Sequence, residues 1–497
     1  MPVGVLRFIV PEPARLSERA VQQAFLSGLD PIPGACKAKF SGSELIVERD
    51  GTDSTKLNLP WKIEGRGEPL LATATLVQRE RPYLLPLELA RGKINTVRNQ
   101  LADWLPLGLT PSEAVTSRLA EATKLFTHAA TSQDDVAAAT AGAEQAIVAA
   151  CDAADALSKC YVDQALITRH RATNKLPVAY GASLGHCEPQ QAKTAGFNAL
   201  CNTAVVPLTW RNVVANEEEY HWHTYEAQIA WCRERNINVA AGPLIRLDDR
   251  GFPDWLSLWQ SDVDGILAFT AEYVSHIVRR LRGQVALWHA ASYVSRSNSL
   301  GLKDEDKLRI IVRALETVRR HEPDAPIIVS FDQPYGEYLR HVPMGYAPLQ
   351  VADHLVRSSL PIAALGLELE VGYLPEGTFH RDALELGRIL DVWSTLGLPL
   401  YVYLTVPSGE GPDAAAFGKS HIAPGAVTGG WSAEAQARWV REFVPLMLSK
   451  PAVQGIAWLA PPDDEPHDLP HGGLFDAKGV GKPALQALAG LRKEHVL

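Results

Sequence analysis

The sequence predicts an α/β protein. Its C-terminal part is a (β/α)8 barrel, preceded by a small β-sandwich-like module and a helical region. Three observations carry that prediction. From Lys175 onward, eight short apolar runs alternate with amphipathic segments: "LPVAYGAS", "ALCNTAVVPL", "INVAAGPLI", "VALWHAAS", "APIIVSFD", "AALGLELEV", "PLYVYLTV" and "VQGIAWLA". Eight strand–helix repeats are the pattern of a closed parallel sheet ringed by helices. Residues 1–85 are instead short apolar runs separated by turn residues, and residues 86–172 carry apolar positions at helical spacing.

In the first region, "VLRFIV", "KAKF", "ELIVERDGTD", "LNLPWKI" and "LLATATLVQ" read as strands, and the Asp50-Gly51 pair marks a turn. The expected unit, residues 1–85, is a β-sandwich or jelly-roll-like module, serving carbohydrate binding or packing. In the second, residues 86–172, "LTPSEAV" predicts a helix start with Thr110 as N-cap, Pro111 at the first position and Glu113 at the third. Ser132 is expected to open a long Ala-rich helix whose small side chains suit close helix–helix packing. That surface also offers a route to self-association. Residues 173–497 form the barrel, with functional residues expected at the C-terminal ends of its strands.

Composition excludes several classes. The chain has 497 residues, 46% hydrophobic and 21% charged, as in ordinary globular proteins. Its net charge is −9 and it has no long basic run, so the electrostatic footprint of a nucleic-acid binder is missing. No run approaches the roughly 20 apolar residues of a membrane span. The early run "VGVLRFIV" is too short for a signal segment and is closed by Pro11 and Pro13. Six cysteines without CxxC spacing read as reduced thiols, and a cytoplasmic location is expected.

"LGLELEVGY", residues 365–373, raises the chemical question. Side chains alternate faces along a strand, so Gly366, Glu368 and Glu370 share one face, opposite Leu367, Leu369 and Val371. Two charged carboxylates on a buried strand are costly unless they are paired or used.

The barrel region resembles glycoside hydrolase family 10, the endo-β-1,4-xylanases. The matching stretches are "FNALCNTAVVPLTWRNVVANEEEYHWHTYEAQIAWCRERNINVAAGPLI", "FPDWL", "VALWHAAS", "VSFDQPY", "LGLELE" and "GLFDAKGVGKPALQAL". The resemblance implies a (β/α)8 fold, an oligosaccharide or glycoside as partner, and no cofactor or metal. It also exposes departures. The family's acid/base Glu follows an Asn at the end of the fourth strand, where this chain reads Trp288-His289-Ala290-Ala291. The seventh-strand nucleophile aligns with Leu404 or Tyr403, and on the second strand only Trp210 is kept.

On the sixth strand the family has Gln and His facing the site, and the equivalents here are Glu368 and Glu370. Carboxylates at i and i+2 start roughly 6–7 Å apart, compatible with the separations of about 5–9.5 Å used in glycoside chemistry. Like charges also raise one pKa, leaving a proton for general acid catalysis. The expectation is an acid pair moved to the sixth strand. Glu370, nearer the mouth, is the acid, and Glu368 or Asp332 is the base or nucleophile. The alternative is a salt-bridge network with Arg246 or His289 and no turnover.

Trp210, Trp255, Trp288 and Trp458 fall near strand ends, so with His289, Tyr403 and Arg246 they are the expected sugar contacts. His186 and Glu188 lie at the first strand's mouth, but no HxH or HExxH spacing supports a metal there. In "PPDDEPHDLPH", Asp463, Asp464, Glu465 and His467 are either solvated loop charge or substrate contacts. Three functions stay open: a glycosidase with relocated acids, a catalytically inactive carbohydrate-binding barrel, and an oligomerising structural protein.

Overall fold

The computed structural model describes every residue except 1–2, 29, 217–218, 297–299 and 343–344. Eight parallel strands form the barrel: β1 (Ala179–Ala182), β2 (Thr203–Val206), β3 (Asn238–Ala241), β4 (Leu287–Ser292), β5 (Ile327–Asp332), β6 (Ala364–Glu370), β7 (Leu400–Thr405) and β8 (Val453–Trp458). Pairing runs in order from β2 to β8, β8 pairs with β1, and a bridge between Ser183 and Val205 joins β1 to β2. The expected (β/α)8 architecture is present, and each of the eight apolar runs supplies one strand.

Strand alternation sorts the residues into two cores. Leu365, Leu367, Leu369, Val402, Leu404 and Trp288 point outward into the layer between sheet and helices. Val205, Ala240, Leu287, Ile328 and Ala364 point inward and fill the lower barrel with Tyr401 and Ala457. Gly455 makes room for this layer, since a Cβ there would lie 2.0 Å from the Tyr401 ring. Above it the inward positions turn polar, and the functional residues begin.

Ahead of the barrel, two four-stranded sheets share a core. One is ordered Lys37–Ser41, Glu44–Asp50, Val3–Ile9, Tyr83–Leu84; the other is ordered Pro33–Gly34, Phe25–Ser27, Lys56–Pro60, Leu70–Ala72. Leu6, Phe8, Leu45 and Val47 from the first meet Leu26, Leu57 and Leu59 from the second, together with Leu85, Leu89 and Ile147 from helices. Three helices follow, Leu85–Trp104, Glu113–Thr131 and Val136–Ala172.

Their starts differ from the sequence expectation by a few residues. Ser112, not Thr110, is the N-cap of the second helix. Asp135, not Ser132, opens the third, because its carboxylate accepts from the Ala138 N–H. The small residues of that third helix are buried within the chain: Ala143, Ala146, Ala150, Ala153 and Ala154 are fully covered. Gly92 lets the first helix approach the sheet, since a Cβ there would lie 2.0 Å from the Ala72 carbonyl oxygen.

Polar links tie these helices to the barrel. Buried Lys93 pairs with Asp382 at the N-terminus of the barrel helix Ala383–Ser394, and Arg169 donates to the Leu448 and Lys450 carbonyls at 2.5 and 3.0 Å. All six cysteines are free thiols. Among the described residues, no helix is long and apolar enough to cross a membrane.

Candidate functional site

The polar upper layer of the barrel is built by β4 to β7. Ser330 and Asp332 of β5 and Glu368 and Glu370 of β6 project inward, and the register pairs Asp332 with Glu368 and Glu368 with Tyr403. Asp332, Glu368 and Glu370 are all buried, at 1%, 1% and 5% exposure. Three buried carboxylates need counter-charge or protons, and the structure supplies both.

The counter-charge comes from the loop after β4. The Arg296 guanidinium pairs with Glu370 and lies 3.5 Å from Asp332. The Tyr293 hydroxyl donates to Glu370 at 2.8 Å, and the Ser295 N–H donates to Asp332 at 2.9 Å. The Tyr293 ring carries both Arg246 and Arg296, each with its guanidinium carbon 4.4 Å from the ring centroid. Lys307 pins the loop by donating to the Val294 and Arg296 carbonyls at 3.1 and 2.8 Å. Burial raises Asp332 above the usual carboxylate range, while Arg296 pulls the other way.

Glu368 has a different environment. One of its oxygens accepts from the Ser330 hydroxyl, and Ser330 Oγ lies 2.6 Å from His289 Nε2. The His289 ring stacks on Tyr403, with centroids 5.1 Å apart and planes 3° from parallel. The second Glu368 oxygen, Oε2, is buried without a hydrogen-bond partner. Burial, then the nearby Asp332 charge, pushes Glu368 up to about 8, and the Ser330 hydroxyl works against that rise. Burial therefore favours the protonated form of Glu368 near neutral pH. Burial pushes His289 down to about 3, so its ring is neutral.

Glu368 and His289 line a cavity of ≈ 670 Å³ at the C-terminal mouth of the barrel. Its walls include His186 and Asn212, the Arg246–Asp468 pair, Thr405 and, at the rim, Phe417. Arg246 pairs with Asp248 and Asp468, both at 2.6 Å, and Arg250 lies 3.2 Å from Asp468. Burial works to raise Asp468, but Arg246 outweighs it and holds that carboxyl below the usual range. Burial pushes His186 down to about 4, and its ring sits 3.2 Å from the Asn212 amide nitrogen.

The expected site residues thus divide. Glu368, His289 and Arg246 line the cavity. Glu370 and Asp332 lie outside its lining, engaged by Arg296. Tyr403 lies against His289 and outside the lining. Trp210, Trp288 and Trp458 are in the core, and Trp255 is half-buried against it. Trp288 and Trp458 occupy outward strand positions, Trp210 stacks on Tyr273 at 4.9 Å, and Trp255 meets Phe269 edge-on at 5.4 Å. Tyr293 and Phe417 are the aromatic side chains that line the cavity.

The loop after β8 is similarly sorted. Asp463 is held by Lys482 at 2.5 Å, and Lys193 lies 2.7 Å from Asp464 and 3.4 Å from Glu465. His467 reaches the cavity, and its Nε2 is 3.0 Å from Asp413. Among the described residues, one trio has ligand atoms close enough for a metal ion, Asp413, Asp463 and His471, all within 4.8 Å. Lys482 and His467 already engage its carboxylates. At the first strand's mouth His186 lines the cavity, whereas Glu188 turns to His223 at 2.9 Å on the surface.

Sequence reasoning missed Tyr293, Arg296, Ser330 and Asp468. The two-residue alternation that singled out Glu368 also puts Ser330 on the inward face beside Asp332. Tyr293 and Arg296 stand in "SYVSRS", immediately after the fourth strand, and Asp468 stands in the polar loop after the eighth.

No family model and no curated protein matches this chain. Among solved structures it is similar to native xylanase 10B from Thermotoga maritima, at 14% identity over 64% of this chain and 96% of that one, with a TM-score of 0.47. It is also similar to xylanase 10B from Thermotoga petrophila in complex with xylobiose, at 14% identity over 64% and 95%, with a TM-score of 0.47. A GH10 structure from Paenibacillus barcinonensis aligns at 16% identity over 65% and 98%, again with a TM-score of 0.47.

Proposed function

We propose that the barrel mouth binds a glycoside and that Glu368 is the proton donor in its hydrolysis. The observation that carries this reading is a carboxyl lining the cavity whose burial favours its neutral form, with one oxygen hydrogen-bonded to Ser330. The polar lining of His, Asn, Arg, Asp and Thr suits sugar hydroxyls, and the sequence resemblance to family 10 points to the same ligand class.

In this reaction the Glu368 proton moves to the glycosidic oxygen as its bond to the anomeric carbon breaks. The Ser330 hydroxyl then stabilises the carboxylate that is left. Asp468, ionised beside Arg246 and Arg250, supplies negative charge for the oxocarbenium-like transition state. Water adds to the anomeric carbon, and the proton it releases restores Glu368. Two carboxyls of one cavity with pKa values pushed in opposite directions divide the acid and charge-stabilising roles.

A panel of aryl glycosides tests this. The expected result is turnover of at least one member, reduced by roughly 10²-fold or more in Glu368→Gln with the fold unchanged by circular dichroism. No turnover across the panel, or turnover retained in Glu368→Gln, overturns it.

A second reading has its own support. Arg296 engages both Glu370 and Asp332, leaving Glu368 without a free carboxylate neighbour in the β5–β6 layer. A binding barrel would then bind xylo-oligosaccharides by calorimetry without cleaving them, and equally well in Glu368→Gln.

A further inference from the structure

We propose that His289 and Ser330 are positioning residues, forming a one-directional hydrogen-bond relay that fixes the Glu368 proton on Oε2, the oxygen without a protein partner. This rests on Glu368 as proton donor and adds which of its two oxygens holds the acidic hydrogen.

The direction follows from counting hydrogens. A serine hydroxyl has one proton to donate, and Ser330 Oγ has three neighbours: Glu368 Oε1, His289 Nε2 at 2.6 Å and the Ala291 carbonyl at 3.5 Å. The Ala291 contact is the longest, at the outer limit for a hydrogen bond. The choice lies between donating to glutamate and donating to histidine.

His289 Nδ1 decides it. That atom is buried with no hydrogen-bond partner, although the Ala291 carbonyl lies close enough to the ring to favour its charged form. A buried N–H without an acceptor is rarer and less tolerable than an unsatisfied lone pair, so Nδ1 is the bare nitrogen and Nε2 carries the hydrogen. His289 Nε2–H then donates to Ser330 Oγ, and Ser330 O–H donates to Glu368 Oε1. With Oε1 occupied as an acceptor, the carboxyl proton resides on Oε2.

The surroundings keep the chain in this state. Tyr403 stacks flat on His289 and holds the ring plane. Ser330 is fully buried and does not line the cavity, which leaves it unfit as a nucleophile despite its closeness to the imidazole. The charged and titratable groups facing Glu368 are Asp332 from β5, Glu370 from its own strand and Arg296 from the β4 loop, and Tyr403 and Tyr293 are influenced by its charge. Arg296 is already engaged by Glu370 and Asp332, which leaves the neutral Ser330–His289 pair to order the proton.

The experiment uses the full chain without ligand. Long-range 15N–1H spectra of 15N-histidine-labelled protein should show His289 as the uncharged Nε2–H tautomer between about pH 5 and pH 8. Its resonances are assigned by their loss in His289→Gln and, should that variant not fold, by their shift in Ser330→Ala. The Glu368 carboxyl band in the infrared, identified by its loss in Glu368→Gln, should titrate roughly one unit higher in Ser330→Ala. Ser330→Thr, which restores a hydroxyl, should bring the midpoint back.

An Nδ1–H or charged His289, or a midpoint unmoved in Ser330→Ala, overturns the relay. Both readouts are independent of turnover. A protein that hydrolyses no glycoside yet passes them keeps the relay and loses the catalytic reading. One that hydrolyses and fails them does the reverse.

Discussion

Replacing Arg296 with methionine removes the guanidinium that stands between Glu370 and Asp332 while keeping most of the side-chain stem over Tyr293. The wild-type residue is 6% exposed, and the two carboxylates it serves are 5% and 1% exposed. Deleting one member of such a buried pair typically costs about 3–5 kcal/mol, because the partner charge is left in a poorly solvating site. Here two acids lose their counter-charge, so the upper end of that range applies. Against a domain stability of about 5–15 kcal/mol, the barrel becomes marginal.

The loss depends on pH with a definite sign. Burial already raises Asp332 in the wild type, with Arg296 opposing, so losing Arg296 raises it further. An acid whose folded pKa lies above its unfolded value is no burden when both states are protonated. It becomes destabilising as pH rises through the unfolded value, about 3.9 for Asp. Urea unfolding monitored by tryptophan fluorescence should therefore show Arg296→Met only mildly weakened near pH 4 and severely weakened at pH 7.5. Adding Asp332→Asn and Glu370→Gln should recover a large part of the deficit at pH 7.5. A deficit under about 1 kcal/mol, or one equal at both pH values, would refute the view of Arg296 as the charge clamp of this layer.

Other expectations follow from the same geometry. Glu368 is raised to about 8 by burial first, so it lowers stability progressively from its unfolded value near 4.3 up to about pH 8. Thermal melts should show Glu368→Gln gaining on the wild type over that window, by on the order of a few kcal/mol at the alkaline end, and no pH-dependent gain would contradict the assignment. A Cβ at Gly366 would lie 2.4 Å from Ser330 Cβ and 2.8 Å from the Tyr403 ring. Gly366→Ala should cost about 1–3 kcal/mol by overpacking and displace Ser330, read as a lower Tm together with a shifted Glu368 infrared midpoint. Lys93→Met should destabilise the contact between the helical region and the barrel by about 3–5 kcal/mol. Adding Asp382→Asn, which keeps an N-cap acceptor for the Glu385 N–H, should recover part of it in chemical denaturation.

The barrel was legible because all eight strands are mostly buried and predominantly apolar, and each is bounded by helix or turn chemistry that a linear reading detects. The two-residue period likewise brought Asp332, Glu368 and Glu370 to one interior layer. Less legible was which acid is free, because that depends on Arg296, a loop residue beyond the fourth strand whose reach across to β5 and β6 is a tertiary fact. The tryptophans misled for a related reason. Placing Trp288 and Trp458 near a strand end says nothing of which face they occupy, and their outward positions follow only once their neighbours His289 and Ala457 are known to point inward. Helix starts slipped because Thr110, Ser112, Ser132 and Asp135 are all competent caps, and packing chose among them.

Neutron diffraction from deuterium-exchanged crystals near pD 7 locates hydrogens directly. The proposed relay predicts nuclear density for a deuteron on Glu368 Oε2 and none on Oε1. A bare carboxylate at that residue would contradict it, and with it the proton donor on which the proposed chemistry depends.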